Sequence, residues 1–159
     1  MEKLPNIVVV RHPRENIKKC SLRFLHNREN FTFLKATDKF SYDATDHILL
    51  EIDAPVISPV DLGKPILLLD STWALLPKIR AKITGNYIPR SLPNSIKTAY
   101  PRQSKLFSDP NCGLATLEAL YSALCLMGIN DPSILDNYHF KDSFLKAFNP
   151  TIPTEGLCP

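Results

Sequence analysis

Asp70, Ser71, Thr72 and Trp73 bring a carboxylate, two hydroxyls and the only tryptophan of the chain together directly after four aliphatic residues, Ile66, Leu67, Leu68 and Leu69. In an open α/β sheet, ligands collect at the carboxyl ends of the strands, so a polar cluster placed there is a candidate site. On spacing alone an equal reading has Asp70 capping a following helix, with Thr72 and Trp73 in its first turn. A second group lies upstream: Arg11-His12-Pro13-Arg14-Glu15, then Asn16-Ile17-Lys18-Lys19-Cys20-Ser21. Bases and a hydroxyl presented beside a strand end can hold a carboxylate or a phosphate. Alternatively, Ser21 caps a surface helix. A third group, Ile96-Lys97-Thr98-Ala99-Tyr100-Pro101-Arg102-Gln103-Ser104-Lys105, mixes bases with an aromatic ring. Basic groups meet phosphates and a ring stacks on a base, which suits single-stranded or looped RNA. The plainer alternative is a loop with a packed tyrosine. Nothing resembles a Cys/His or Ser/His nucleophile pair. Cys20, Cys112, Cys125 and Cys158 are too far apart for a CxxC metal motif, and His12, His26, His47 and His139 are scattered, so no metal is expected.

The elements that must position these groups follow from hydrophobic pattern. Ile66 to Leu69 reads as a strand buried on both faces, as inside a parallel sheet. Residues 6–10 (Asn-Ile-Val-Val-Val) and 31–34 (Phe-Thr-Phe-Leu) read as two further strands, and 48–52 as a short one. Residues 54–59 form an extended connection, and 88–93, with two prolines, are also extended. A helix is expected over 74–84, closed by Gly85, with Pro77 tolerated only near its start. The strongest helix signal covers 114–127, where Leu117, Leu120, Tyr121, Leu124 and Met127 recur at helical spacing before Gly128. Cys125 lies on its apolar face as a core residue. Thr116 and Glu118 sit near its amino end, which attracts anions. Two more helices are expected over 133–137 and 141–148, followed by a loose tail.

At 159 residues the chain fits one domain, or one with a small companion. Five glycines against fourteen prolines leave no glycine-rich phosphate loop. No apolar run approaches the ~20 residues that span a bilayer, and Met1-Glu2-Lys3-Leu4-Pro5 lacks a secretion signal. A cytoplasmic protein without a membrane partner is therefore expected. The net charge of +3 hides a pattern: residues 1–35 carry +5, 36–70 carry −5, 71–108 carry +7 and 109–159 carry −4. Seven bases and no acid in residues 71–108 point to a polyanion such as nucleic acid, or to a solvated surface whose acids come from neighbouring segments.

These pieces resemble a family. Asp70-Ser71-Thr72-Trp73 fits the Asp-x-Thr-Trp signature of DTW-domain proteins. Leu114-Ala115-Thr116-Leu117-Glu118-Ala119 is similar to their Leu-Ser-Thr-Leu-Glu-Ala helix, and His12-Pro13-Arg14-Glu15 to the His-Pro-x-Glu after their first strand. The layout also resembles the related ribosome-biogenesis aminocarboxypropyltransferases, through Lys18-Lys19-Cys20-Ser21 and Ile57-Ser58-Pro59-Val60-Asp61. The motifs span residues 7–148 in the family's order. Two departures stand out. The family's Asn-Pro-x-Asn-Tyr-Gly segment is here Ala99-Tyr100-Pro101-Arg102-Gln103, and the amino-terminal zinc cysteines of some members are missing.

The resemblance implies an α/β, SPOUT-like sheet with a trefoil knot in the C-terminal part. Residues 1–62 would form a small α/β or β-rich N-terminal part contributing to the site, residues 63–150 the cofactor-binding part, and 151–159 the tail. It implies S-adenosylmethionine (SAM) as group donor, with the 3-amino-3-carboxypropyl group passing to the imide nitrogen of a uridine or pseudouridine in rRNA or tRNA. By resemblance, Ser21 holds the methionine carboxylate and the backbone at Leu69 the ribose. Trp73 packs on the S-methyl group, and Asp70 meets the amino or sulfonium charge or accepts the imide proton. Leu92, Leu114 and Thr116 line the adenine pocket. Arg11, Lys18, Lys19, Lys97, Arg102 and Lys105 are the candidate RNA contacts. A monomer acting on RNA, in pre-ribosomal particles, is expected. Two alternatives stay open: a SPOUT-like RNA methyltransferase and a non-catalytic RNA-binding assembly factor.

Overall fold

The computed structural model describes residues 4–14, 22–25, 28–51, 53–71, 74–93, 96 and 116–148. Its organising element is β5 (Ile66–Asp70), an apolar strand with Ile66 and Leu67 wholly inaccessible. Such a strand has no polar face to give to water, so it must lie between neighbours in a sheet covered on both faces. It does. β1 (Ile7–Arg11) and β4 (Ile48–Leu50) flank it in parallel, β2 (Phe31–Lys35) pairs in parallel with β1, and the sheet order is β2-β1-β5-β4-β7. The fifth strand, β7 (Ile88–Arg90), begins where the Ile88 amide donates to the His47 carbonyl at 2.7 Å. A two-stranded parallel ribbon joins β3 (Tyr42–Asp43) to β6 (Ile83–Thr84).

Two compact units divide the chain, and neither is continuous in sequence. The first takes Met1–Leu50 and Gly63–Pro89; the second takes Glu51–Leu62 and Arg90–Pro159. The boundary expected at 62/63 is one of three crossings, and the N-terminal strands share a unit with the Asp70 strand. In the first unit, Val8, Val10, Leu49, Leu67 and Ile79 build the core with Ala36 and Ala44. α1 (Leu76–Arg80) packs on β5 and inserts Ile79, which is fully buried.

The helix expected over 74–84 is shorter than its apolar pattern. Pro77 fixes the first turn, and after Arg80 the chain turns so that Ile83 and Thr84, both β-branched, form β6. Gly85 adopts φ +89° behind that strand rather than closing a helix.

In the second unit, α2 (Thr116–Met127) takes most of the expected 114–127 helix, and residues 114–115 lie outside the described residues. Leu117, Leu120, Tyr121, Leu124 and Met127 are buried, and Gly128 stops the helix with φ +106°. Cys125 is only half-buried, though burial pushes its thiol above the usual value. α3 (Lys141–Ala147) brings Phe144 and the following Phe148 against Tyr121, with ring centroids 6.1 and 5.4 Å from it. The helix expected over 133–137 is instead a 3-10 turn, Pro132–Leu135, started by Pro132 and capped by Asp131, which accepts the Ser133 amide at 3.1 Å. No described helix is long and apolar enough to cross a membrane.

Candidate functional site

β1 and β5 lie side by side, and their chains leave them in opposite directions across the sheet: β1 leads outward to β2, and β5 leads past β4 to β7. In parallel α/β sheets the usual ligand position is outside the carboxyl ends of two such strands. Two charged residues stand there. Arg11 closes β1 and Asp70 closes β5, and the parallel register sets them directly opposite each other. The Arg11 Nε donates to Asp70 Oδ2 at 3.1 Å, with the two side chains only 7% and 12% exposed. On its other side the Arg11 guanidinium lies 4.7 Å from the centre of the Phe33 ring, contributed by β2. A buried carboxylate is tolerated because it is paired, and the pair is tolerated because strand register fixes both backbones. Leu69 precedes Asp70 opposite Val10, so its backbone runs along the same sheet edge.

This arrangement alters one expectation. Arg11 was expected among the surface contacts to phosphate, but it is buried and joined to Asp70. His12 follows it at the edge, where its Nδ1 accepts the Arg14 amide at 3.1 Å. Ser21, Lys18 and Lys19, then Trp73, Lys97, Arg102, Lys105 and Leu114, lie outside the described residues. Asp70 and Leu69 thus come together in the first unit. Leu92 and Thr116 both belong to the second.

The second unit holds a polar clasp that hydrophobic pattern missed. Asp61 is 1% exposed and does three jobs. Its residue closes a capping box with Ser58 around the 3-10 turn Pro59–Asp61, its Oδ2 accepts the Ser58 amide at 3.2 Å, and both its oxygens accept from Arg90 Nε at 3.0 and 3.2 Å. Next to Arg90, Ser91 donates its amide to Pro55 O and its hydroxyl to Ala54 O at 2.6 Å, while its own carbonyl accepts the Ile57 amide. The strand that delivers Leu92 is therefore stitched to residues 54–61. The Ser-Pro-x-Asp spacing carried half of this signal; its partner, 29 residues later, had no local mark. Glu118, near the start of α2, is fully buried.

Among the described residues no cluster of His, Cys, Asp and Glu could hold a metal ion. Comparison with known proteins adds a fold. The structure is similar to that of the SAM-dependent rRNA:acp-transferase Tsr3 from Vulcanisaeta distributa, with a TM-score of 0.68 and 23% sequence identity, over 91% of this chain and 78% of that one. No family model matches the sequence, and no curated protein does. The likeness establishes a mixed α/β fold with a mostly parallel sheet.

Proposed function

We propose that this chain is a SAM-dependent transferase that moves the 3-amino-3-carboxypropyl group onto a uridine or pseudouridine nitrogen of rRNA. The observation that carries the reading is the position of Asp70, the first residue of the Asp-x-Thr-Trp signature, at the crossover of a sheet shaped like that of a SAM-dependent rRNA:acp-transferase. The rRNA acceptor is preferred over tRNA because the structural neighbour is an rRNA:acp-transferase.

In the proposed reaction the acceptor nitrogen forms a bond to the γ-carbon of the methionine moiety. The C–S bond breaks, its electron pair stays on sulfur and methylthioadenosine leaves, while the N–H proton of the acceptor passes to solvent. A sulfonium is already a good leaving group, so the protein's task is to position and desolvate. Arg11 holds the Asp70 carboxylate in one orientation, from which it meets the donor's amino or sulfonium charge. Positioning is the role we assign to Asp70; proton acceptance from the imide is secondary, since a carboxylate is a weak base for that group. Trp73 turns the S-methyl group away from the acceptor, Ser21 takes the carboxylate, and Leu92, Leu114 and Thr116 line the adenine pocket. We further place a SPOUT-type knot in residues 63–150 and a monomer acting on pre-ribosomal RNA in the cytoplasm.

The test uses two labels. Purified protein and rRNA are incubated with SAM labelled in the carboxyl carbon or in the methyl group. Carboxyl label retained on RNA, with methyl label released in methylthioadenosine, is the expected result. Methyl label on RNA would make the chain a methyltransferase, and neither label on RNA would favour a non-catalytic factor.

A further inference from the structure

The seven bases of residues 71–108 do not share one role. Arg90 is tied to the buried Asp61 carboxylate, and Lys82 Nζ donates to the Asp38 carbonyl at 3.0 Å. Three others, Lys97, Arg102 and Lys105, lie outside the described residues. Lys78 and Arg80, both exposed, lie on α1. The helix is pinned by Ile79 against the core around Leu67, which directs the residues on either side of Ile79 away from it. Arg80 is held in place: its Nη2 donates to the Tyr87 hydroxyl at 2.9 Å, and its Cζ stands 5.9 Å from the Tyr87 ring centre. Tyr87 itself packs against the same core. A long cationic side chain fixed along an aromatic ring loses less rotamer freedom when it meets an anion. Lys78 forms no ion pair with an acid among the described residues. Asp43, the acid that β-pairing brings to β6, accepts instead from the Thr45 hydroxyl and amide.

We propose that Lys78 and Arg80, with Tyr87 as the support for Arg80, form a landing surface for the phosphates of the acceptor RNA. α1 packs on β5 and begins six residues after Asp70, so the chain tethers this surface to the strand that carries the site's carboxylate. The inference rests on the RNA-acceptor reading above and assigns that partner to a surface of the first unit. Two phosphate contacts release about two counterions, so they give about a tenfold steeper loss of affinity between about 50 and 200 mM salt.

The test measures binding of a fluorescein-labelled RNA hairpin with a uridine loop across that salt range. The wild type is compared with the double variant Lys78→Glu/Arg80→Glu, and with Lys78→Gln/Arg80→Gln in case charge reversal impairs folding. Thermal unfolding and SAM affinity by calorimetry are expected to match the wild type. RNA affinity at low salt should fall about tenfold or more, and the slope of log affinity against log salt should shrink by about two. Tyr87→Phe, which removes the hold on Arg80 but keeps the ring, should give an intermediate loss. If the wild type binds the hairpin and both double variants bind it with the same affinity and slope, the landing surface is wrong. If the wild type itself binds neither the hairpin nor rRNA, the acceptor reading fails and takes this inference with it.

Discussion

Arg11 is the residue on which the site geometry turns, because it touches an acid from one neighbouring strand and a ring from the other. Removing its charge leaves Asp70 buried without the partner that register provides. Arg11→Met should therefore destabilise the protein by about 3–5 kcal/mol in urea titration, and adding Asp70→Asn should recover part of that loss. A simple sum of the two single effects in the double variant would show that the pair is not coupled. Asp43 gives a pH test. The Thr45 hydroxyl, and then the Thr45 amide, hold its carboxyl below the usual value. Its folded pKa is thus below the unfolded one, so the stabilisation is present above the unfolded value and is lost as pH falls through the folded value. Thr45→Val should flatten the decline of stability in acid, read by thermal melts between about pH 5 and pH 2. The identity of Asp70 as a site candidate was legible, since a charge ending an apolar run is unusual. Its partner was not. Arg11 lies 59 residues away, and only strand register brings the two together.

Elements with a strong period were legible and those set by tertiary pairing were not. β1, β2, β5 and α2 fall where alternation or apolar runs put them, within a residue or two. Ile83 and Thr84 carry the same apolar pattern as a helix end, yet they serve as β6 because β3 offers a partner and a turn intervenes. Two glycines at such ends allow a direct comparison. A Cβ at Gly128 would meet nothing within 4 Å, so Gly128→Ala should cost only the left-handed backbone penalty, about 1–2 kcal/mol. A Cβ at Gly85 would collide with the Asp43 carboxylate and with Thr45, including its amide nitrogen at 2.9 Å. Backbone cannot yield cheaply, so Gly85→Ala should cost clearly more, about 3 kcal/mol or above. Equal losses of melting temperature in the two variants would contradict the crowding.

At the scale of the molecule, the two interleaved units separate what sequence order suggests from what folds together. Residues 1–62 read as an N-terminal part because they end with a proline-containing extended connection, residues 54–59. In the sheet, however, β1 and β4 are both hydrogen-bonded to β5 and are not neighbours of each other. A chain ending at residue 62 should therefore show no cooperative melting transition and a collapsed amide spectrum, whereas the intact chain melts cooperatively. Dispersed amide resonances from the 1–62 fragment would refute this. The likeness of fold to Tsr3 belongs to this scale and could not have been read from any single motif, since each is short and chain order alone ties them together.

The central position of β5 also bears on synthesis. During translation residues 1–50 emerge carrying four strands, of which β1 and β4 pair with a β5 that has not yet been made. β1 and β2 can meet early, but β4 must wait with Ile48 and Leu49, buried at 0% and 2% in the finished fold, open to other apolar surfaces. Only when residue 70 has cleared the ribosome can the sheet assemble. The nascent chain is then most in need of a chaperone over one short interval, and a pause in translation between residues 50 and 66 would prolong it.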